Sequence, residues 1–300
     1  MQAVIQASRA IAAGDAHLII AGAVESMSRA PWVLAKPAVA YPRGHERLYS
    51  TTLGWPMVSP AMPPEWTVAL GEGAEILAEQ FAISREEQDA FALSSHQKAL
   101  AAWDKGLYDD EVVILEGTAL IRDECTRADA SMDALAHLEP VFRPQGTVSV
   151  GNSSPLNDGA TAMCLADDAG LASLSGPDPL ARVVARAGSG VDPQVFGIGP
   201  VEAAHRALSR AGIGWGDLDV VELGEAFAAQ SLACLRSWPD LDRSIVNING
   251  EAIALGHPLG CSGARIIGSL AHELNRRGGG WGLATICIGV GQGLAVVLKA

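Results

Sequence analysis

Lysine, aromatic residues and long apolar runs are all scarce in this chain. Only Lys36, Lys98, Lys105 and Lys299 are lysines among 21 cations; against 34 carboxylates the net charge is −13. So acidic a surface repels a polyphosphate backbone, which excludes nucleic acid as the expected partner. Apolar runs such as Leu18 to Val24 and Ala252 to Leu255 fall far short of the ~18 residues of a membrane span. No basic stretch followed by an apolar one is found at Met1, so no signal peptide is read and a cytoplasmic protein is expected. The cysteines (Cys125, Cys164, Cys234, Cys261, Cys287) are five, widely spaced and without a CxxC pair, which argues against a disulfide framework and a structural metal.

What is present is small and apolar. Hydrophobic residues make up 49% of 300 positions, with Gly 33 and aromatics 5%. That excludes a disordered chain, suggests about two domains, and suits close packing of helices on sheets. Met1 to Ala13 reads as a helix stopped by Gly14-Asp15. Leu18 to Ala21 reads as a strand of the continuous apolar kind that is covered on both faces. From Ser28 to about Val150 proline is frequent and Trp32, Trp55 and Trp66 appear, the texture of a long functional excursion. Within it, helices are predicted over Glu72 to Phe81 and from Ser84, whose partner Glu87 makes a capping box.

Beyond Asn152 an α/β pattern returns. Strands are predicted at Thr161 to Ala166, Arg182 to Ala187, Val220 to Leu223 and Ile245 to Asn249. A helix starts at Gly199-Pro200, another covers Ala264 to Leu274, and Leu283 to Lys299 forms a hairpin. Cys164 and Cys234 are expected in the core. A helix, a glycine stop and an apolar strand occur at both ends of the chain, as two copies of one unit would. By that symmetry about 80 to 90 residues would precede Met1.

Three segments carry unusual chemistry. Glu225 follows the strand ending at Leu223, where open α/β sheets place their sites; a helix-capping role is the alternative. His257 lies in a Gly-rich loop before a helix, where N–H groups favour an anionic oxygen and an imidazole can act as acid, base or donor. Cys287 closes an apolar strand just before Gly289, either as an inert buried thiol or as a low-pKa thiolate.

Taken with Ala21 to Ser28, Ile83 to Asp89, Gly151 to Ser154, Leu156 to Ala160, Asn247 to Gly250, Ala252 to Gly260 and Cys287 to Gly293, the order Glu225, His257, Cys287 resembles the thiolase family, which makes and breaks β-ketoacyl thioesters of coenzyme A. The resemblance covers nearly the whole chain. It implies an α/β fold of two related halves, mixed sheets covered by helices, with residues 1–27 and 153–175 as a truncated first half, 28–152 as a loop domain and 176–300 as the second half. It implies acyl transfer, as in fatty-acid β-oxidation, through a covalent thioester with acid–base help. Cys287 would move the α-proton, and His257 would activate the nucleophile and donate to a thioester oxygen. Gly289 N–H would form part of an oxyanion hole, and Glu225 completes the catalytic set. Ser154 would lie near the pantetheine arm and Arg127 near the adenosine phosphate of the CoA substrate. No metal or redox cofactor is implied, and a homo-oligomer is expected.

Several positions depart from the family. Its nucleophile sits in a Cys-x-Ser-Gly turn, and this chain begins just past the corresponding point, so its first sheet should lack strands and expose apolar surface. Cys261 lies on the loop that mirrors that turn and reads as a small residue in a tight bend. Gly224 stands where the family has an oxyanion-hole Asn, Glu251 where it has Gly, and Ala185 near a CoA-contacting Ser, with Ser189 the nearest hydroxyl. Three states stay open: a longer natural enzyme read from an earlier start, a non-catalytic CoA- or partner-binding remnant, and one subunit of a split thiolase.

Overall fold

The computed structural model describes residues 1–176 and 178–300; Pro177, inside the expected second half 176–300, lies outside the described residues. The chain opens with α1 (Gln2–Ala13) and β1 (Leu18–Ser26). The excursion holds β2 (Trp32–Leu34), β3 (Leu48–Ser50), α2 (Leu70–Gln80), α3 (Arg85–Asp104) and α4 (Met132–Ala136). Then come β4 (Asp158–Ala166), α5 (Asp168–Ala172), β5 (Arg182–Gly190), α6 (Gly199–Ala211), β6 (Val220–Leu223) and α7 (Ala228–Arg236). The chain closes with α8 (Ala252–Leu255), α9 (Leu259–Arg276), β7 (Trp281–Ile288) and β8 (Gln292–Lys299).

Local chemistry explains the boundaries. Gly14 ends α1 in the left-handed conformation (φ 81°), which a side chain would resist. The capping box at α3 forms as predicted: Ser84 Oγ accepts from Glu87 N–H, and the Glu87 carboxylate accepts from Ser84 N–H. Proline near the start of α6 lacks only an N–H that the helix does not use.

Four strands form a mixed sheet in the order β5-β8-β7-β6, with β6 parallel to β7 and the other pairs antiparallel. On one face α6 and α7 pack Ala203, Ala207, Leu208 and Leu235 against Val221, Leu223 and Leu283. On the other face α1 and α9 form a shared layer. Their Val4, Ile5, Ile266, Ile267 and Leu270 pack both against Val220, Ala284 and Val296 of this sheet and against Ala21 of β1. The second sheet of the core is the β1–β4 ribbon, antiparallel with Ile20 opposite Cys164 and Val24 opposite Ala160.

Three expectations need correction. β1 is not covered on both faces: its residues alternate, and Ile20 and Val24 are 76% and 72% exposed. Cys164 is exposed rather than core, because it shares the uncovered side of the ribbon. Ile245 to Asn249 is not a strand. A 3-10 turn covers Arg243–Ile245 and only Val246 bridges to Val221. Asn247 (φ 45°) turns the chain away and replaces the ladder with its side chain. Its Oδ1 accepts from Leu223 N–H at 2.8 Å and its Nδ2 donates to Leu223 O at 2.9 Å.

Candidate active site

β6 ends at Leu223, and the turn after it is the hub of the site. Glu225 is 1% exposed and its carboxylate is fully engaged. Oε2 accepts from Ser95 Oγ at 2.7 Å and from Ile253 N–H at 3.2 Å; Oε1 accepts from Asn247 Nδ2 at 2.8 Å. Burial pushes this carboxyl up to about 7, helped by the Glu251 carboxylate nearby. Glu225 does not cap the helix that follows it: α7 has Phe227 at its N-cap and no side-chain cap bond. It binds instead the first turn of the short α8, and that helix leads directly to Gly256 and His257.

His257 is buried, and its backbone N–H donates to Asn157 Oδ1 at 2.7 Å. Burial holds the imidazole down at about 4, with Glu251 opposing and Arg265 reinforcing the shift, so the ring is neutral at pH 7. Its Nδ1 lies 2.7 Å from Ser262 Oγ, which also lies 3.1 Å from the Pro258 carbonyl. With the hydroxyl proton on that carbonyl, Nδ1 donates and Nε2 is a free base. With the proton turned to Nδ1, Nε2 carries the ring proton and donates.

Cys287 ends β7 beside the hub. Gly224 N–H donates to Thr285 O at 2.9 Å, and Cys287 packs in one apolar cluster with Ala226 and Phe227. Burial pushes its thiol up to about 12. The resting group is thus a protonated acid, and the low-pKa thiolate reading is overturned by desolvation. Gly289 lies two residues on, in the tight β7–β8 turn; a Cβ there would sit 3.0 Å from the Trp55 ring, so a larger residue fits only if that indole shifts.

Ser154 joins the same hub: its N–H and Oγ both donate to Ala226 O, at 3.1 and 3.0 Å. Arg127 stands apart from these five. It is exposed, and its backbone N–H donates to His96 Nδ1 at 3.2 Å. Ser189 donates to Gly199 O at 2.6 Å. Cys261 is buried in the first turn of α9, with its thiol pushed up by burial. Sequence reasoning missed the supports: Ser95 beneath Glu225, Ser262 behind His257, and Arg265 paired with Glu251. The last two had a signal, since Ser262 and Arg265 fall on the first turns of the helix just after His257. Ser95, 130 residues from Glu225, falls in Ser95 to Gln97, a stretch whose sequence also resembles the family, but nothing in it pointed to Glu225. Among the described residues no group of three or more His, Cys, Asp or Glu side chains is placed to hold a metal ion, and no helix is long and apolar enough to cross a membrane.

Comparison with known proteins identifies the family. Residues 1–169 match the family model for the thiolase N-terminal domain and residues 177–300 that for the thiolase C-terminal domain. The chain is 48% identical over 303 residues to the 3-oxoadipyl-CoA/3-oxo-5,6-dehydrosuberyl-CoA thiolase of Escherichia coli K12, covering 98% of this chain and 75% of that protein. It is 46% identical to the beta-ketoadipyl-CoA thiolase of Pseudomonas aeruginosa, covering 100% and 76%. Human mitochondrial 3-ketoacyl-CoA thiolase, also solved in complex with CoA, superposes with a TM-score of 0.92 at 39% identity, over 100% of this chain and 75% of that one. Two family models that together span almost all of the chain, relatives approaching half identity and a shared fold place it in the thiolase family of acyl-CoA acyltransferases.

Proposed function

We propose that this chain carries the acid–base half of a thiolase reaction, CoA-dependent cleavage of a 3-oxoacyl-CoA and the reverse condensation with acetyl-CoA. The observation that carries it is that the Glu251 carboxylate, bonded to the Glu225 turn, lies within charge range of both His257, which burial keeps neutral, and Cys287, which burial keeps protonated. In cleavage, His257 Nε2 takes the proton of a nucleophilic thiol, whose sulfur attacks the 3-oxo carbon. The C2–C3 bond breaks, and the enolate of acetyl-CoA takes its proton from Cys287 Sγ–H. Cys287, now a thiolate, takes the proton of a second CoA thiol, whose sulfur attacks the acyl thioester; the enzyme thiolate leaves and is reprotonated by His257. His257, as donor, and Gly289 N–H steady the oxyanions.

The names of the relatives make 3-oxoadipyl-CoA the first substrate to test. Trp55 and Leu70, which crowd Gly289, would border the acyl group; Ser154 and Arg127 would face the pantetheine and phosphate ends. The three-part division of the chain, a homo-oligomeric state and chemistry without metal or redox cofactor belong to the same proposal.

The chain contains no Cys-x-Ser-Gly turn, and Cys261 is a buried, protonated thiol. Complete turnover therefore needs the nucleophile from a segment outside these residues, on the same polypeptide or on a partner subunit; a chain that only binds CoA is the second reading. Exchange of the acetyl-CoA methyl protons in D2O separates them, because it needs Cys287 and not the nucleophile. Exchange that disappears in Cys287→Ala supports the catalytic reading. CoA binding without exchange overturns it in favour of the binding role.

A further inference from the structure

One buried charge at the site has no task in this scheme. Glu251 is 1% exposed. Its Oε2 accepts from Glu225 N–H at 2.7 Å, and its Oε1 is ion-paired with Arg265. The Arg265 guanidinium also donates to Gly256 O at 2.7 Å, and Gly256 is the residue before His257. Carboxylate and guanidinium together therefore tie the exit turn of β6, the start of α8 and the loop bearing His257. On its other side the same β6 turn is bonded to β7 at Thr285, two residues before Cys287.

Stability does not explain this pair. Burying two charges costs several kcal/mol each, and a well-packed apolar pair is often as stable or more so. What the pair adds is direction. The Glu251 charge favours the protonated form of His257 against burial, and the protonated form of Cys287 along with burial. The other ionisable groups around it are Glu222 and Glu225 from the β6 end, and Arg265 is the cation facing it from α9.

We propose that Glu251 is a positioning residue for the acid–base pair: held by Arg265, its carboxylate locks the Glu225 turn to the loop of His257 and sets one fixed negative charge beside both His257 and Cys287. The claim rests on the thiolase reading only for naming that pair.

Alkylation of the full chain with iodoacetamide, quantified cysteine by cysteine by peptide mass spectrometry, tests it without requiring turnover. Glu251→Gln keeps the volume and the acceptor oxygen but removes the charge. It should speed modification of Cys287 by about tenfold at fixed pH, the effect of one pKa unit, and leave the core thiol Cys234 unchanged. Glu251→Asp, which keeps the charge, should restore most of the parent rate. Arg265→Met leaves the buried Glu251 without its cation, which favours the neutral carboxylic acid, so it should also speed Cys287, and it decides the matter if Glu251→Gln does not fold. Parental Cys287 rates in Glu251→Gln or Arg265→Met would overturn the proposal. So would Cys287 and Cys234 rising together, since that reports loosening and not a lost charge. Because alkylation is independent of acetyl-CoA exchange, failure of the thiolase reading and failure of this one are told apart.

Discussion

The four-stranded sheet and the β1–β4 ribbon are built from similar apolar segments and end in opposite conditions. In the four-stranded sheet, β6 is buried at every position and β7 at all but its ends, because α6 and α7 cover one face and α1 and α9 the other. In the β1–β4 ribbon only the inner face meets α1 and α9, and Leu18, Ile20 and Val24 stand outward beside Cys164. The lesson concerns where chemistry can be held. Glu225 and Cys287 leave the doubly covered sheet, and a site needs supports whose own positions are fixed by packing. The ribbon contributes through its flanking residues, as when Asn157, just before β4, fixes the His257 backbone.

The sharpest break of this comparison is chemical. Cys287→Ala should lower acetyl-CoA proton exchange by roughly 10²–10⁴-fold, the usual worth of a positioned acid or base. Cys164→Ala on the ribbon should leave the exchange rate as it was. Initial rates in D2O measure both.

Stability gives the next contrast. Leu283→Ala, in fully buried β7, should cost about 2–5 kcal/mol through lost burial and a cavity. Urea unfolding reads this as a lower midpoint with an unchanged slope.

The pH dependence of stability separates the site from the rest. Glu225 has its folded pKa raised to about 7, so the stability it confers is present below the ordinary carboxylate range and is lost as pH rises through about 7. His257 is depressed to about 4; its contribution is present above the ordinary imidazole range and is lost as pH falls through about 4. The two trends oppose one another between about 4.5 and 6.5, the unshifted values. Glu225→Gln should therefore gain stability relative to the parent as pH rises from about 4.5 to about 7, by up to about 3 kcal/mol. Thermal melts across that range should show the two curves converge or cross; parallel curves would contradict the shift.

The smallest effect belongs to the bare face. Ile20→Thr should change unfolding free energy by no more than about 0.5 kcal/mol, while lowering any self-association measured by sedimentation, because it breaks an exposed apolar patch.

Much of this was legible in the residues. Gly14, the Ser84–Glu87 box and the β7–β8 hairpin are local signals, and local chemistry decides them. Glu225, His257 and Cys287 were found because each sits within two residues of a glycine at the edge of an apolar run. Three things were not legible. The run Ile245 to Asn249 has strand composition, but one side chain, Asn247, takes over the backbone partners of Leu223. That the first sheet would expose apolar surface was expected, but which positions stand bare, Ile20 and Cys164 among them, depends on the neighbours each strand acquires, which its own sequence does not state. The pairing of Glu251 with Arg265 spans 14 residues and a change of direction, beyond any periodicity.

The ribbon also has a kinetic meaning. Ser26 and Asp158, bonded across its end, are 132 residues apart, whereas β7 and β8 are joined by a three-residue turn. Closing a loop of that length costs about 4 kcal/mol of chain entropy from its length alone, and the ribbon has only one packed face with which to recover it. The hairpin can therefore form early, with the ribbon closing only once the excursion between its strands has itself become compact. Pulsed hydrogen exchange during refolding should protect β7 and β8 amides before those of β1 and β4. The same ribbon is then the first part of the molecule to open under stress, so a newly made or partly unfolded chain can add its inner face to the apolar surface already bare while the Cys287 end of the sheet is still shut.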